Sequence, residues 1–183
     1  LFQAVVNDFA YGRNFDNIDE TSLKKVFDQD VLYGENVNNM VTFIDNHDRN
    51  RFLTEAGGDV KKMQNALTFI YSCRGVPTVF QGTEQNRGNA NGQAINGIAD
   101  TWNRWSMQTK DYDGKVIVDY FNENTDTYKL IGRLNEIRQQ YQALREGTQR
   151  EMWSSPHYYA FSRRMYDGEN LSLIHISEPT RPY

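Results

Sequence analysis

A chain of 183 residues is long enough to bury one good core, and a formal net charge of −4 provides no basic face for nucleic acid. No stretch of it is long and apolar enough to span a bilayer. The single cysteine, Cys73, has no partner for an intramolecular disulfide and sits in an apolar helical pattern, so it reads as a core thiol.

The first element is under way at the first residue: Leu1, Phe2, Val5, Val6 and Phe9 mark one helix face, and Gly12 stops it. An opening inside an apolar pattern, without Met, implies residues before Leu1. Asn14 to Glu20 is a polar loop, and Thr21 or Ser22 can cap a second helix carrying Leu23, Val26 and Phe27. Gly34 to Asn39 then leads into Val41-Thr-Phe-Ile44, a buried strand. Asp59 can cap a helix with Val60, Met63, Leu67 and Ile70 at helical spacing, ended by Arg74-Gly75. Val76 to Phe80 is a second strand, its proline near the start, where a missing ladder donor is tolerated. Strand, helix, strand with short connections is a βαβ unit, which implies parallel strands and a right-handed crossover.

Gln81 to Gln85 closes that strand, and a loop rich in Asn and Gly follows as far as Trp105. A loop of that length is functional or disordered, and the anchors Trp102, Arg104 and Trp105 argue for an ordered one folded over the mouth. Asn124-Thr-Asp126 can cap a long helix with Leu130, Ile131, Leu134, Ile137, Tyr141 and Leu144, ended by Gly147. From Thr148 the pattern changes: Met152-Trp153, His157 to Arg163 and Asp167-Gly168 read as strands joined by a hairpin turn.

A cluster of polar and charged residues stands where Val41 to Ile44 ends. Asp45-Asn46-His47-Asp48 stand at the C-terminal mouth of a strand, where α/β barrels keep their reacting groups. The same residues also fit a strand followed by an Asx-type turn, since Asn and Asp favour turns for local hydrogen-bonding reasons. Asp45 reads as a structural strand-end group, and Arg49 and Arg51 as solvated or paired charges. One histidine with no further His/Cys cluster nearby makes no metal site.

Laid side by side, these blocks resemble the α-amylase family of glycoside hydrolases. Phe43-Ile-Asp-Asn-His-Asp48 is similar to the block that ends the seventh barrel strand, and Gly75-Val-Pro-Thr-Val-Phe-Gln-Gly-Thr-Glu-Gln85 to the eighth-strand block. Asp100-Thr-Trp-Asn-Arg104 resembles the Asp-Pro-Tyr-Asn-Arg segment of the loop after it, and Ile137 to Gly147 the last barrel helix. The spacing is nearest to cyclodextrin glucanotransferases and their amylase relatives, with Gly147-Thr-Gln-Arg-Glu-Met-Trp153 where the C-terminal β domain begins. The resemblance implies an α/β fold, with residues 1–147 the C-terminal portion of a catalytic (β/α)8 TIM barrel and 148–170 the beginning of an all-β C-terminal domain.

It also implies retaining chemistry on an α-glucan or maltooligosaccharide, by an α-amylase or a related cyclodextrin-forming transglycosylase. Asp48 matches the catalytic aspartate that fixes the distorted sugar at the cleavage point, and His47 the histidine that donates to the same sugar. Asp100 and Arg104 match residues that hold sugars further along the donor side. The blocks for the nucleophile and the acid/base, and most calcium ligands, would precede Leu1. The expectation is therefore no cofactor on these residues, calcium and an extracellular location for the full-length protein, and a fragment that alone does not hydrolyse starch.

Three features depart from the pattern. Phe80-Gln81 stands where the family commonly has two tyrosines, Thr101 stands where it has proline, and the loop from Lys110 to Asn122 is longer than in most members. A non-catalytic carbohydrate-binding or transporter-associated member of the superfamily is the alternative, against which the retained Asn46-His47-Asp48 and Asp100/Arg104 argue. Leu171-Ser-Leu-Ile-His-Ile-Ser-Glu-Pro-Thr-Arg181 resembles the translated adapter of a sequencing library, so 171–183 is set aside as a non-native tail. Its other reading is a strand, Leu171 to Ile176, with a polar end.

Overall fold

A computed structural model describes residues 1–104, 106–110, 112–165 and 171–177, of which 100 and 171–177 are described by their backbone alone. The apolar face at the start forms α1 (Phe2–Val5) and runs on as a π-helical turn, Val6–Ala10, where the Tyr11 amide reaches back to the Val6 carbonyl at 3.1 Å. Asn7 and Asp8 are buried on this turn although both are polar. Each holds the start of the next helix: Asn7 Nδ2 donates to the Thr21 carbonyl at 2.7 Å, and Asp8 Oδ2 accepts from the Leu23 amide at 2.7 Å. Of the two candidate caps for α2 (Leu23–Asp28), Ser22 is the one used, its Oγ accepting from the Lys25 amide at 3.3 Å.

Asp8 makes this corner of the fold sensitive to pH. Burial pushes its carboxyl up to about 8, against the lowering effect of the Leu23 N–H and the Arg13 charge. The folded chain therefore keeps a proton that the unfolded chain gives up near pH ~4. The resulting stabilisation is complete below that point and is lost as pH rises through about 8. Between the two, stability should fall by up to about 1.4 kcal/mol per pH unit. Asp8→Asn keeps an acceptor for the Leu23 amide and should flatten that slope. Denaturant midpoints of the two chains across this range test it, and parallel pH profiles would refute it.

The expected βαβ unit is present. β1 (Val41–Thr42) and β2 (Val76–Pro77) pair in parallel, Val41 opposite Val76 and Thr42 opposite Pro77, and α3 (Phe52–Glu55) and α4 (Val60–Ser72) lie between them. The ladder is shorter than either apolar run, and no third strand flanks it among the described residues, which leaves Val41 60% and Val76 49% exposed. Gly75 joins α4 to β2 at φ +100°, and a Cβ there would sit 2.5 Å from the Met40 carbonyl oxygen, so only glycine allows the strands to approach.

Asp59 caps α4 by accepting from the Lys61 and Lys62 amides, and the face Met63, Ala66, Leu67, Phe69 and Ile70 is wholly buried. Phe69 is its centre, with ring centroids 5.3 Å from Phe9, 6.0 Å from Phe27 and 5.9 Å from Phe161. Cys73 is buried as expected, its thiol pushed up to about 11 by desolvation. The single long helix expected before Gly147 is two: α6 (Asp126–Gln140), capped by Thr125, and α7 (Gln142–Glu146). They break at Tyr141, where Arg145 Nη1 donates to the Arg138 carbonyl at 2.7 Å and to that of Gln139, closing the end of α6.

The β module is an antiparallel sheet of β5 (Thr148–Ser155), β6 (Tyr158–Arg164) and β7 (Leu171–Ser177), with β6 in the middle and a bulge between Glu151 and Trp153. Tyr159 and Phe161 alternate onto one face of β6, and both join the helices in a shared apolar cluster. β5 and β6 turn at Pro156-His157, whereas Asp167-Gly168 lies outside the described residues. The segment set aside as a tail has a strand backbone as far as Ser177, a conformation that does not identify the origin of its residues. Within the long segment from Lys110 to Asn122, part of a small antiparallel hairpin forms, β3 (Gln108–Lys110) with β4 (Val116–Asp119).

Candidate active site

Beyond Thr42 the backbone leaves the ladder and turns sharply. Asn46 makes the turn: its Oδ1 accepts from the amides of Asp48 at 2.9 Å and Arg49 at 3.1 Å. The local turn and the outward-facing site are thus the same feature, since the turn is what directs His47 and Asp48 away from the core. Their side chains are 60% and 49% exposed. Asp45 behaves oppositely and is buried, accepting from the Phe52 amide at 3.1 Å and the Thr83 hydroxyl at 2.9 Å. Burial raises its carboxyl above the ordinary range, with the Arg51 charge opposing. It is the structural strand-end group that the sequence implied.

Arg104 comes from far along the chain to meet this turn. Its Nη2 donates to Asp48 Oδ1 at 2.8 Å and its Nε to the His47 carbonyl at 2.9 Å, while His47 Nε2 stands 3.3 Å from Asp48 Oδ2. The Ala99 amide donates to the Asp48 carbonyl at 3.0 Å, so the loop is joined to the turn on both sides of α5 (Asp100–Asn103). Asp100 opens that helix, and its side chain lies outside the described residues, as does Trp105. Three of the four expected site residues are therefore in direct contact. An exposed pair such as Arg104 and Asp48 is worth about 0–1 kcal/mol, little enough for a ligand rich in hydroxyls to displace it.

Of the two readings of Arg51, solvated or paired, the first is corrected: it is fully buried and faces the Asp45 and Glu84 charges, with Nη1 on the Gln81 carbonyl and Nη2 on the Asn103 carbonyl, both at 2.7 Å. Its guanidinium lies 4.0 Å over the Phe80 ring, which gives this departure from the family pattern an apolar partner. No local signal marks such a residue, because its acceptors are backbone carbonyls of two distant segments. Beside the turn, a cleft of about 250 Å³ is lined among others by Arg49, Asn50, Glu55 and Asn96. No three His, Cys, Asp or Glu side chains converge to hold a metal among the described residues. No described helix is long and apolar enough to cross a membrane.

The family model for the α-amylase catalytic domain matches residues 2–115. The chain belongs to the α-amylase family. It is similar to the β/α-amylase of Paenibacillus polymyxa, 33% identical over 167 residues that make up 86% of this chain and 12% of that protein. It is likewise 33% identical over 141 residues to a cyclomaltodextrin glucanotransferase of Thermoanaerobacterium thermosulfurigenes, covering 77% of this chain and 17% of that one. Among solved structures, a cyclomaltodextrin glucanotransferase with a three-domain ABC distribution superposes on 97% of the chain and 31% of its own, with TM-score 0.70 and 30% identity. This α-amylase family chain has the α/β fold of its relatives and spans between about an eighth and a third of their length.

Proposed function

We propose that the chain is the C-terminal part of the (β/α)8 barrel of an α-glucan-active retaining glycosidase, or of a related cyclodextrin-forming transglycosylase, followed by the start of an all-β domain. The observation that carries this reading is the Asp48 carboxylate, half exposed at a strand end and joined there by His47 and Arg104. Arg104 and His47 stand against the two carboxylate oxygens. A glucose unit at the cleavage point takes over that acceptor with its hydroxyls, and Arg104 and Asp100 then serve the sugars further along the donor side. Hydrogen bonds from hydroxyls beside the reacting carbon strengthen as the ring gains oxocarbenium character, so Asp48 stabilises the transition state more than the bound substrate. The nucleophile and the acid/base belong to barrel strands outside these residues, and the 183-residue chain alone is inactive on this reading. In the full-length protein, extracellular and calcium-bound by the same reading, His47→Ala should raise the Kd for maltooligosaccharides about tenfold, the ~1.4 kcal/mol of one hydrogen bond. Calorimetric titration measures this, and unaltered affinity would remove His47 from the donor side.

A further inference from the structure

Two backbone carbonyls flank His47 and Asp48, those of Asn46 and Arg49, and one side chain grips both. Asn103 Nδ2 donates to the Asn46 carbonyl at 3.0 Å and to the Arg49 carbonyl, which pins both ends of the turn to the loop. Its own carbonyl accepts from Arg51 Nη2 at 2.7 Å, while Nη1 of the same guanidinium holds the Gln81 carbonyl at 2.7 Å after β2. The Arg51 amide is held in turn by Asn89 Oδ1 at 2.9 Å. Both Asn103 and Arg51 are 0% exposed, so neither can touch a ligand in the cleft. Asn103 Oδ1 is buried with no hydrogen-bond partner among the described residues, a destabilising arrangement. What the amide supplies here is therefore its two N–H donors, aimed at the turn.

We propose that Asn103 and Arg51 are positioning residues: they clamp the loop that carries Arg104 to the turn that carries His47 and Asp48, and so place the Arg104 guanidinium for an α-glucan on the donor side. This rests on the function proposed above. Residue 104 follows immediately on the clamped residue, so the point from which its side chain reaches His47 and Asp48 is set by Asn103. Lysine cannot replace Arg51, because a single ammonium cannot span two carbonyls that the planar guanidinium bridges.

The test has two arms. In the 183-residue chain, exchange of the Arg104 Nε–H, donated to the His47 carbonyl, is followed by NMR in mildly acidic solution. Asn103→Ala and Arg51→Lys should each speed it at least tenfold. Arg138→Met, which removes a half-buried cap from the Tyr71 and Cys73 carbonyls elsewhere in the fold, should lower the denaturant midpoint yet leave that proton unchanged. If either clamp variant fails to fold, the other decides. Unchanged exchange in the folded clamp variants, or equal acceleration in Arg138→Met, overturns the proposal. In the full-length protein, Asn103→Ala should raise KM for maltooligosaccharides tenfold or more with a smaller change in kcat, and should add nothing once Arg104→Ala is present. Additive losses overturn the proposal. Wild-type protein that binds no maltooligosaccharide defeats the proposed function instead, and the exchange arm still judges the clamp.

Discussion

In the full-length protein, Asp48→Asn is expected to lower turnover of maltooligosaccharides by about 10²- to 10³-fold, the scale of removing one preorganised electrostatic interaction with a developing charge. Substrate affinity should change by less than about tenfold, because in the proposed function the carboxylate acts mainly on the transition state. Asparagine keeps the shape of the side chain and one acceptor for Arg104. The substitution alters only exposed contacts, those with Arg104 and His47, the ion pair with Arg104 being worth about 0–1 kcal/mol, so thermal stability should barely move. Steady-state kinetics with a parallel melting curve separate these effects. Undiminished turnover would take Asp48 out of the chemistry, and a fall in stability large enough to explain the slower turnover would assign it to folding.

Phe69→Ala should be among the most costly substitutions in the chain, at about 3–5 kcal/mol, as expected when a fully buried ring is removed and its cavity cannot close. Phe69 is where three parts of the fold meet. Its ring touches Phe9 from the opening helical segment, Phe27 from α2 and Phe161 from β6, the last edge-on at 83°. Two residues of the β sheet, Tyr159 and Phe161, share their apolar cluster with the helices, in company with Phe9 and Leu67. Urea unfolding gives the destabilisation directly, and a cost below about 1 kcal/mol would mean that the neighbouring rings repack into the space.

Several elements were legible because their cause is local. The Asp59 cap and the helical spacing through Ile70 produce α4 as expected, and the apolar runs on either side of it produce a parallel pair. Asn46 makes its turn from its own side chain, and Asp45 is buried as a strand-end group. Where the partner is distant, the pattern is silent. The π-helical turn buries Asn7 and Asp8 to meet Thr21 and Leu23, and the break at Tyr141 depends on Arg145 folding back onto α6. A charge in a polar motif reads as solvated until the carbonyls that satisfy it are seen, and this is why the burial of Arg51 was not legible.

The strand and helix types around the site were determined by the sequence alone, because side-chain class, spacing and capping act within a few residues, and the residues of the proposed chemistry were marked by their resemblance to family motifs. Only the tertiary structure decided that Arg104 meets Asp48 across more than fifty positions of chain, and that Asn103 and Arg51 hold it there. Those contacts join backbone groups from separate segments, and such groups look alike in every sequence until folding brings particular ones together.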